Sequence, residues 1–154
     1  MSPSPILIRP AVPADVDTVA AFNVAMALET EALTLDLDTV RRGVAALVAD
    51  PAKGSYRVAT REGELVGQLM ITTEWSDWRC GWWWWIQSVY VAPEARRGGV
   101  YRALHRSVLE DAERAGDVRG VRLYVEQDNA RAQRTYEALG MTRGRYLVFE
   151  TGHE

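Results

Sequence analysis

Between Trp82 and Val91 ten consecutive positions are dominated by aromatic and β-branched residues, and the run stops at Ala92-Pro93. Gly98-Gly99 follows, and from Val100 the apolar residues Leu104, Val108 and Ala112 recur at the spacing of one helical face. A strand must therefore run through a short loop and a glycine pair straight into a helix. Amide groups without intrahelical partners, together with partial positive charge from the macrodipole, gather at such a helix start. Glycine lets that backbone approach an anion closely. The junction predicts a phosphate or pyrophosphate seat, with Arg96 and Arg97 beside it to add charge. Spacing alone also fits a flexible turn flanked by solvated arginines. A P-loop is excluded, because Lys53 is the only lysine and lies far from the turn. A dinucleotide turn of the G-x-G-x-x-G type is absent.

The remaining elements fall on either side of this junction. Ile6–Arg9 predicts a first strand, and Val16, Val19, Ala20, Val24 and Ala27 a helix entered at Pro13. A second helix follows Asp38, with Val40, Val44, Leu47 and Val48 on one stripe, and ends before Asp50-Pro51. Tyr56–Thr60 and Leu65–Thr73 read as strands joined through Glu62-Gly63. Val121–Val125 is a short strand, Ala130–Leu139 a helix closed by Gly140, and Arg145–Glu150 a last strand. The order β-α-α-β-β-β-α-β-α-β describes one mixed α/β domain over residues 1–154, with a core at about 6–150.

Composition narrows the function classes. A net charge of −3 leaves no electrostatic footprint for nucleic acid or an anionic membrane. No stretch approaches the ~20 apolar residues of a membrane span, and Met1–Arg9 lacks the pattern of a secretory signal, so a cytoplasmic protein is expected. Cys80, the single cysteine, makes neither an internal disulfide nor a cysteine metal cluster, and no metal is expected. Neither His105 nor His153 belongs to a recognisable triad.

The segment Arg96-Arg97-Gly98-Gly99-Val100-Tyr101, preceded by Val89-Tyr90-Val91-Ala92-Pro93, resembles the pyrophosphate motif R/Q-x-x-G-x-G/A of the GNAT superfamily of acetyl-CoA-dependent N-acetyltransferases. The chain departs from that pattern at Tyr101, a bulky residue where the family has a small one. A second stretch, Asn129 through Ala132 and Tyr136 to Leu139-Gly140-Met141, is similar to the family's N-x-x-A-x-x-x-Y-x-x-x-G-F segment, with Met141 in place of the final aromatic. Asn129 and Tyr136 are about 700° apart around a helix, so they share a face. They suit a common ligand, or alternatively a helix cap and a core residue.

The resemblance covers Ile6 to Glu150 and implies a mostly antiparallel mixed sheet flanked by helices. It implies that acetyl-CoA binds through the backbone of Val89, Tyr90 and Val91 and through residues Arg96, Arg97, Gly98, Gly99, Val100, Tyr101 and Arg102, with Asn129 nearby. Transfer to an amine would be direct, without a covalent enzyme intermediate, and Tyr136 would protonate the departing thiolate. Several family members carry a glutamate on the long strand as base. Here the nearest positions are Trp85 and Gln87, which leaves Glu29 and Glu31, between the first two helices, as candidates beside Glu74, Asp77 or a water held by Gln87 or Ser88.

All six tryptophans lie between Trp75 and Trp85. Side chains alternate along a strand, so Trp82 and Trp84 oppose Trp83 and Trp85, and at least one pair should face away from the main core. Trp75, Asp77, Trp78, Trp85 and Gln87 are the expected wall of an acceptor pocket. Aromatic faces near carboxylates suit a cationic amine, either a small molecule or a peptide. The same residues would also serve a homodimer interface. Two other readings of the chain remain: an acyl-CoA-binding module without turnover, and a glycan or peptide binder built on the tryptophans.

Overall fold

The computed structural model describes residues 4–152. It divides into two compact units, the first ending at Tyr124 and the second beginning at Val125. The first unit runs β1 (Leu7–Pro10), a 3-10 turn (Pro13–Asp15), α1 (Val16–Glu31), α2 (Leu37–Ala49), β2 (Ser55–Arg61), β3 (Glu64–Ser76), β4 (Gly81–Val91), a second 3-10 turn (Pro93–Ala95), α3 (Val100–Ala115) and β5 (Val118–Leu123). The strands form one sheet in the order β1-β2-β3-β4-β5. Successive pairs are antiparallel except β4 and β5, which are parallel and joined through α3.

Alternation along the strands divides the core. Ala59, Leu69, Ile71 and Ile86 pack with Val100, Leu104 and Val108 of α3. Val58 and Tyr56, on the other face of β2, pack with Val19 and Ala20 of α1 and Val44 of α2. β3 carries Gly67 where α3 begins: a Cβ there would lie 2.7 Å from Cγ1 of Val100. This glycine lets the helix start sit directly on the sheet.

Several elements depart from the expectation for identifiable reasons. β3 continues past Thr73 to Ser76, because Glu74, Trp75 and Ser76 pair with Trp83, Trp82 and Gly81. The connection between β3 and β4 is accordingly a short tip at residues 77–80. β5 starts at Val118 rather than Val121, because its parallel register with Trp82 carries Arg119 and Gly120 into the strand. α2 is capped by Asp36, whose side chain accepts from the Thr39 amide, two residues before the expected Asp38. Glu29 and Glu31 belong to the last turn of α1, not to a connecting loop.

In the second unit α4 spans Ala130–Ala138. The strand expected over Arg145–Glu150 is not formed: those residues are in neither helix nor strand, and Tyr146, Leu147, Val148 and Phe149 are exposed. An apolar run becomes a strand only when another strand supplies its ladder, and none pairs with it among the described residues.

Candidate active site

The glycine turn has the geometry its spacing predicts. Arg97 and Gly99 both take positive φ, 67° and 80°, so the chain reverses and enters α3 with Gly99 as its N-cap. Among the described residues no side chain caps this end, and the first-turn amides are left for a ligand or solvent. A Cβ at Gly99 would meet nothing within 4 Å, so the space in front of the turn is open. Tyr101, the bulky departure, is accommodated without lifting the helix. Its ring packs at the edge of the core and its hydroxyl lies 3.1 Å from Nδ1 of His105, while Val100 beside it stays buried.

Upstream of the turn, β4 has an edge without a strand partner among the described residues. β5 pairs with β4 only from Trp82 to Ile86, whereas β4 runs on to Val91. The Ala92 amide donates to Val66 of β3 at 2.9 Å. Backbone groups alternate between edges, so Val91 and then Val89 turn theirs to the open side. Arg96 Nε reaches the Val91 carbonyl there at 3.0 Å.

A bulge interrupts β4 where the two strands part. The register with β3 slips between Gln68 and Met70, and Ser88 takes φ 51°. A buried amide network holds it: Gln68 Nε2 donates to the Ser88 carbonyl at 3.1 Å and to Asn23 Oδ1 at 2.8 Å, and Asn23 donates to Tyr56. Gln68 is fully buried, and its Oε1 lacks a partner among the described residues. An unmatched buried acceptor is costly; the network it belongs to fixes the kink in the strand. The slip also turns Gln87 and Tyr90 to the same face.

On that face Glu29 meets the glycine loop. Its carboxylate pairs with Arg96 at 2.7 Å and accepts a hydrogen bond from the Tyr90 hydroxyl at 3.2 Å. The Arg96 guanidinium also lies over the Tyr90 ring, 5.5 Å from its centroid. Burial, reinforced by Glu29, pushes the Tyr90 phenol above its ordinary value. Glu29 thus ties the end of α1 to the loop before the turn. Glu31, the other carboxylate candidate, is exposed.

The aromatic residues do not form one wall. Gln87, Trp85 and Trp83 share a face with Thr72 and Glu74, whereas Trp82 and Trp84 lie on the face of α3. Trp75 packs edge-on against Trp82, with centroids 5.0 Å apart, so it is separated from Trp85 and Gln87 by the sheet. Trp78 is 85% exposed at the hairpin tip, next to Asp77. Two residues that the sequence did not single out lie against Trp85 and Trp83. Tyr124 stacks on Trp85 at 4.5 Å, and Arg122 lies 3.6 Å above the centroid of Trp83. Both come from the β5 side of the sheet, so only the parallel register with β4 reveals them. Trp85 Nε1 donates to Glu74 at 2.8 Å, and Gln87 Nε2 to Thr72 at 2.6 Å.

In the second unit, Asn129 is the N-cap of α4, its Oδ1 accepting from the Ala132 amide at 3.1 Å. That leaves its Nδ2 donors for another partner. Tyr136 lies two turns further along, and burial raises its phenol above the ordinary value.

An α/β domain whose strand edge leads into a glycine-bearing helix start without a side-chain cap among the described residues has main-chain donors of the kind that suit an anionic group. The sequence profile of the acetyltransferase (GNAT) family matches residues 23–141, and the chain belongs to that family. Among solved structures it is similar to a possible acetyltransferase from Clostridium difficile 630, with 44% identity over 97% of this chain and 98% of that one, at a TM-score of 0.92. A ribosomal-protein-alanine N-acetyltransferase from Brucella melitensis biovar Abortus 2308 shares the fold at a TM-score of 0.79, with 15% identity over 97% of this chain and all of that one. No curated protein matches. Among the described residues no helix is long and apolar enough to cross a membrane.

Proposed function

We propose that this acetyltransferase moves the acetyl group of acetyl-CoA directly to a primary amine. The observation that carries the reading is the unpaired edge of β4 from Gln87 to Val91, running straight into the uncapped start of α3. Backbone groups of Val89 and Val91 suit the amides of a pantetheine arm, and amides of residues 97–102 suit the diphosphate. The family match runs across the boundary at Tyr124, which supports treating both units as one transferase domain. A cytoplasmic setting fits Cys80, which is exposed and free of any disulfide.

In the reaction the amine nitrogen attacks the thioester carbonyl carbon, a C–N bond forms and the C–S bond breaks. A main-chain amide at the β4 bulge steadies the charge growing on the carbonyl oxygen. By the family resemblance, Tyr136 gives its proton to the leaving thiolate. The proton lost by the amine passes to water at Gln87, whose Oε1 has no protein donor among the described residues. Glu29, already held by Arg96 and Tyr90, acts in this scheme as a positioning carboxylate and not as the base.

The test is mass spectrometry of a mixed-amine pool incubated with acetyl-CoA, with release of free thiol followed in parallel. Acetylated amine with matching thiol release is the expected result. Binding of acetyl-CoA without either product would make the chain a binding module.

A further inference from the structure

The face that carries Gln87 and Trp85 is basic where an acceptor would lie, and this deepens the transferase reading on which it rests. Arg122 pairs in register with Trp85, one position before Ile86 and Leu123, the last partners before β4 and β5 part. Its guanidinium carbon lies 3.6 Å above the centroid of Trp83, and Arg79 lies 5.1 Å from the centroid of the same ring. Gly120 is what admits that ring: a Cβ there would stand 2.2 Å from Trp83 Cζ3. The cation is therefore positioned by the strand pair and not merely solvated. It is 29% exposed, and its carboxylate neighbour among the described residues, Glu74, stands 3.8 Å away, beyond hydrogen-bonding distance, with the same oxygen already taken by Trp85. A guanidinium carries five donors in a planar fork, and among the described residues none of those on Arg122 makes a hydrogen bond.

We propose that Arg122 is a specificity residue that receives an anionic group of the acceptor, so that the substrate is a primary amine bearing a carboxylate or another acid close to its nitrogen. Gln87 lies two residues beyond Trp85 on the same face, about 7 Å along the strand. Its free Oε1 takes an N–H of the amine while Arg122 takes the acid, with the stacked Trp85–Tyr124 pair between them. The cation–π capture expected from the sequence gives way here, because Arg122 and Arg79 already use the Trp83 ring. Glu74 alone does not reverse the sign of the patch.

The experiment is steady-state acetylation of matched amines that differ only in the acid: amino acids and dipeptides, their C-terminal amides, the corresponding decarboxylated amines, and polyamines. Wild type should prefer the acids by at least about tenfold in kcat/KM, the size expected when a charged hydrogen-bonding partner is lost. Arg122→Gln should erase the preference by raising KM for the acids, while kcat/KM for the amides and KM for acetyl-CoA stay within about twofold. Arg122→Lys should restore part of it, as a point charge without the fork. Equal use of acids and amides by wild type, selective use of polyamines, or an Arg122→Gln defect that is uniform across the series each overturns the proposal and leaves the transferase reading intact. Absence of transfer to every amine overturns both.

Discussion

Tyr136 is the proposed general acid, and burial raises its phenol above the ordinary value. Tyr136→Phe is expected to lower kcat by about 10²–10⁴-fold with little change in acetyl-CoA affinity, and near-normal kcat with chemistry rate-limiting would make the residue structural. Glu29 is tested by the same logic with the opposite expectation. Its partly exposed pair with Arg96 is worth no more than about fivefold in acetyl-CoA KM, so Glu29→Gln should move KM and leave the low-pH limb of kcat unchanged. A displaced limb would make Glu29 the base after all. His105 supplies a pH signature of the fold itself. Burial lowers its pKa below 6.5, so below that value the unfolded chain binds the proton more readily than the folded one. Stability is therefore complete above pH 6.5 and declines as the pH falls. Urea midpoints compared between about pH 7 and 5 should fall less for His105→Leu than for wild type.

The contact of α3 with β3 joins stability to the ligand seat. Gly67→Val would force Cβ against Val100, with an expected cost of about 1–3 kcal/mol and a weaker acetyl-CoA Kd as the helix start lifts. Gly43→Ala in α2 is the control: nothing lies within 4 Å of its Cβ position. It should stabilise by about 0.5–1 kcal/mol and leave Kd alone. Thermal melts paired with calorimetric titrations read both quantities. The same distinction explains what the sequence made legible. β4, the glycine turn, the stripe of α3 and the Glu62-Gly63 hairpin carry their own local signals, and each formed where expected. Features decided by a partner strand were not legible: the extension of β3 to Ser76, the start of β5 at Val118 and the unformed strand over 145–150. The candidate site divides in the same way. The backbone of Val89, Val91 and residues 97–102 is local, whereas Glu29 meets Arg96 from 67 residues away, and Arg122 and Tyr124 come into view only through the β4–β5 pairing.

At the scale of the whole molecule, the sheet places one continuous route along the β4 edge. It runs from the bulge at Ser88, past Val89 and Val91, whose backbone faces away from β3, to the start of α3. Gly67 and the Gln68–Asn23–Tyr56 network support that route from behind, and the aromatic and basic face at Trp85 and Arg122 lies where the strands divide. The account stands or falls on whether acetyl-CoA follows this line. Backbone amide NMR of the isotopically labelled protein, titrated with acetyl-CoA, measures it directly. The largest shifts are expected at the amides of Val89, Val91 and residues 97–102. Saturable binding that leaves those amides unmoved and shifts others would contradict the account.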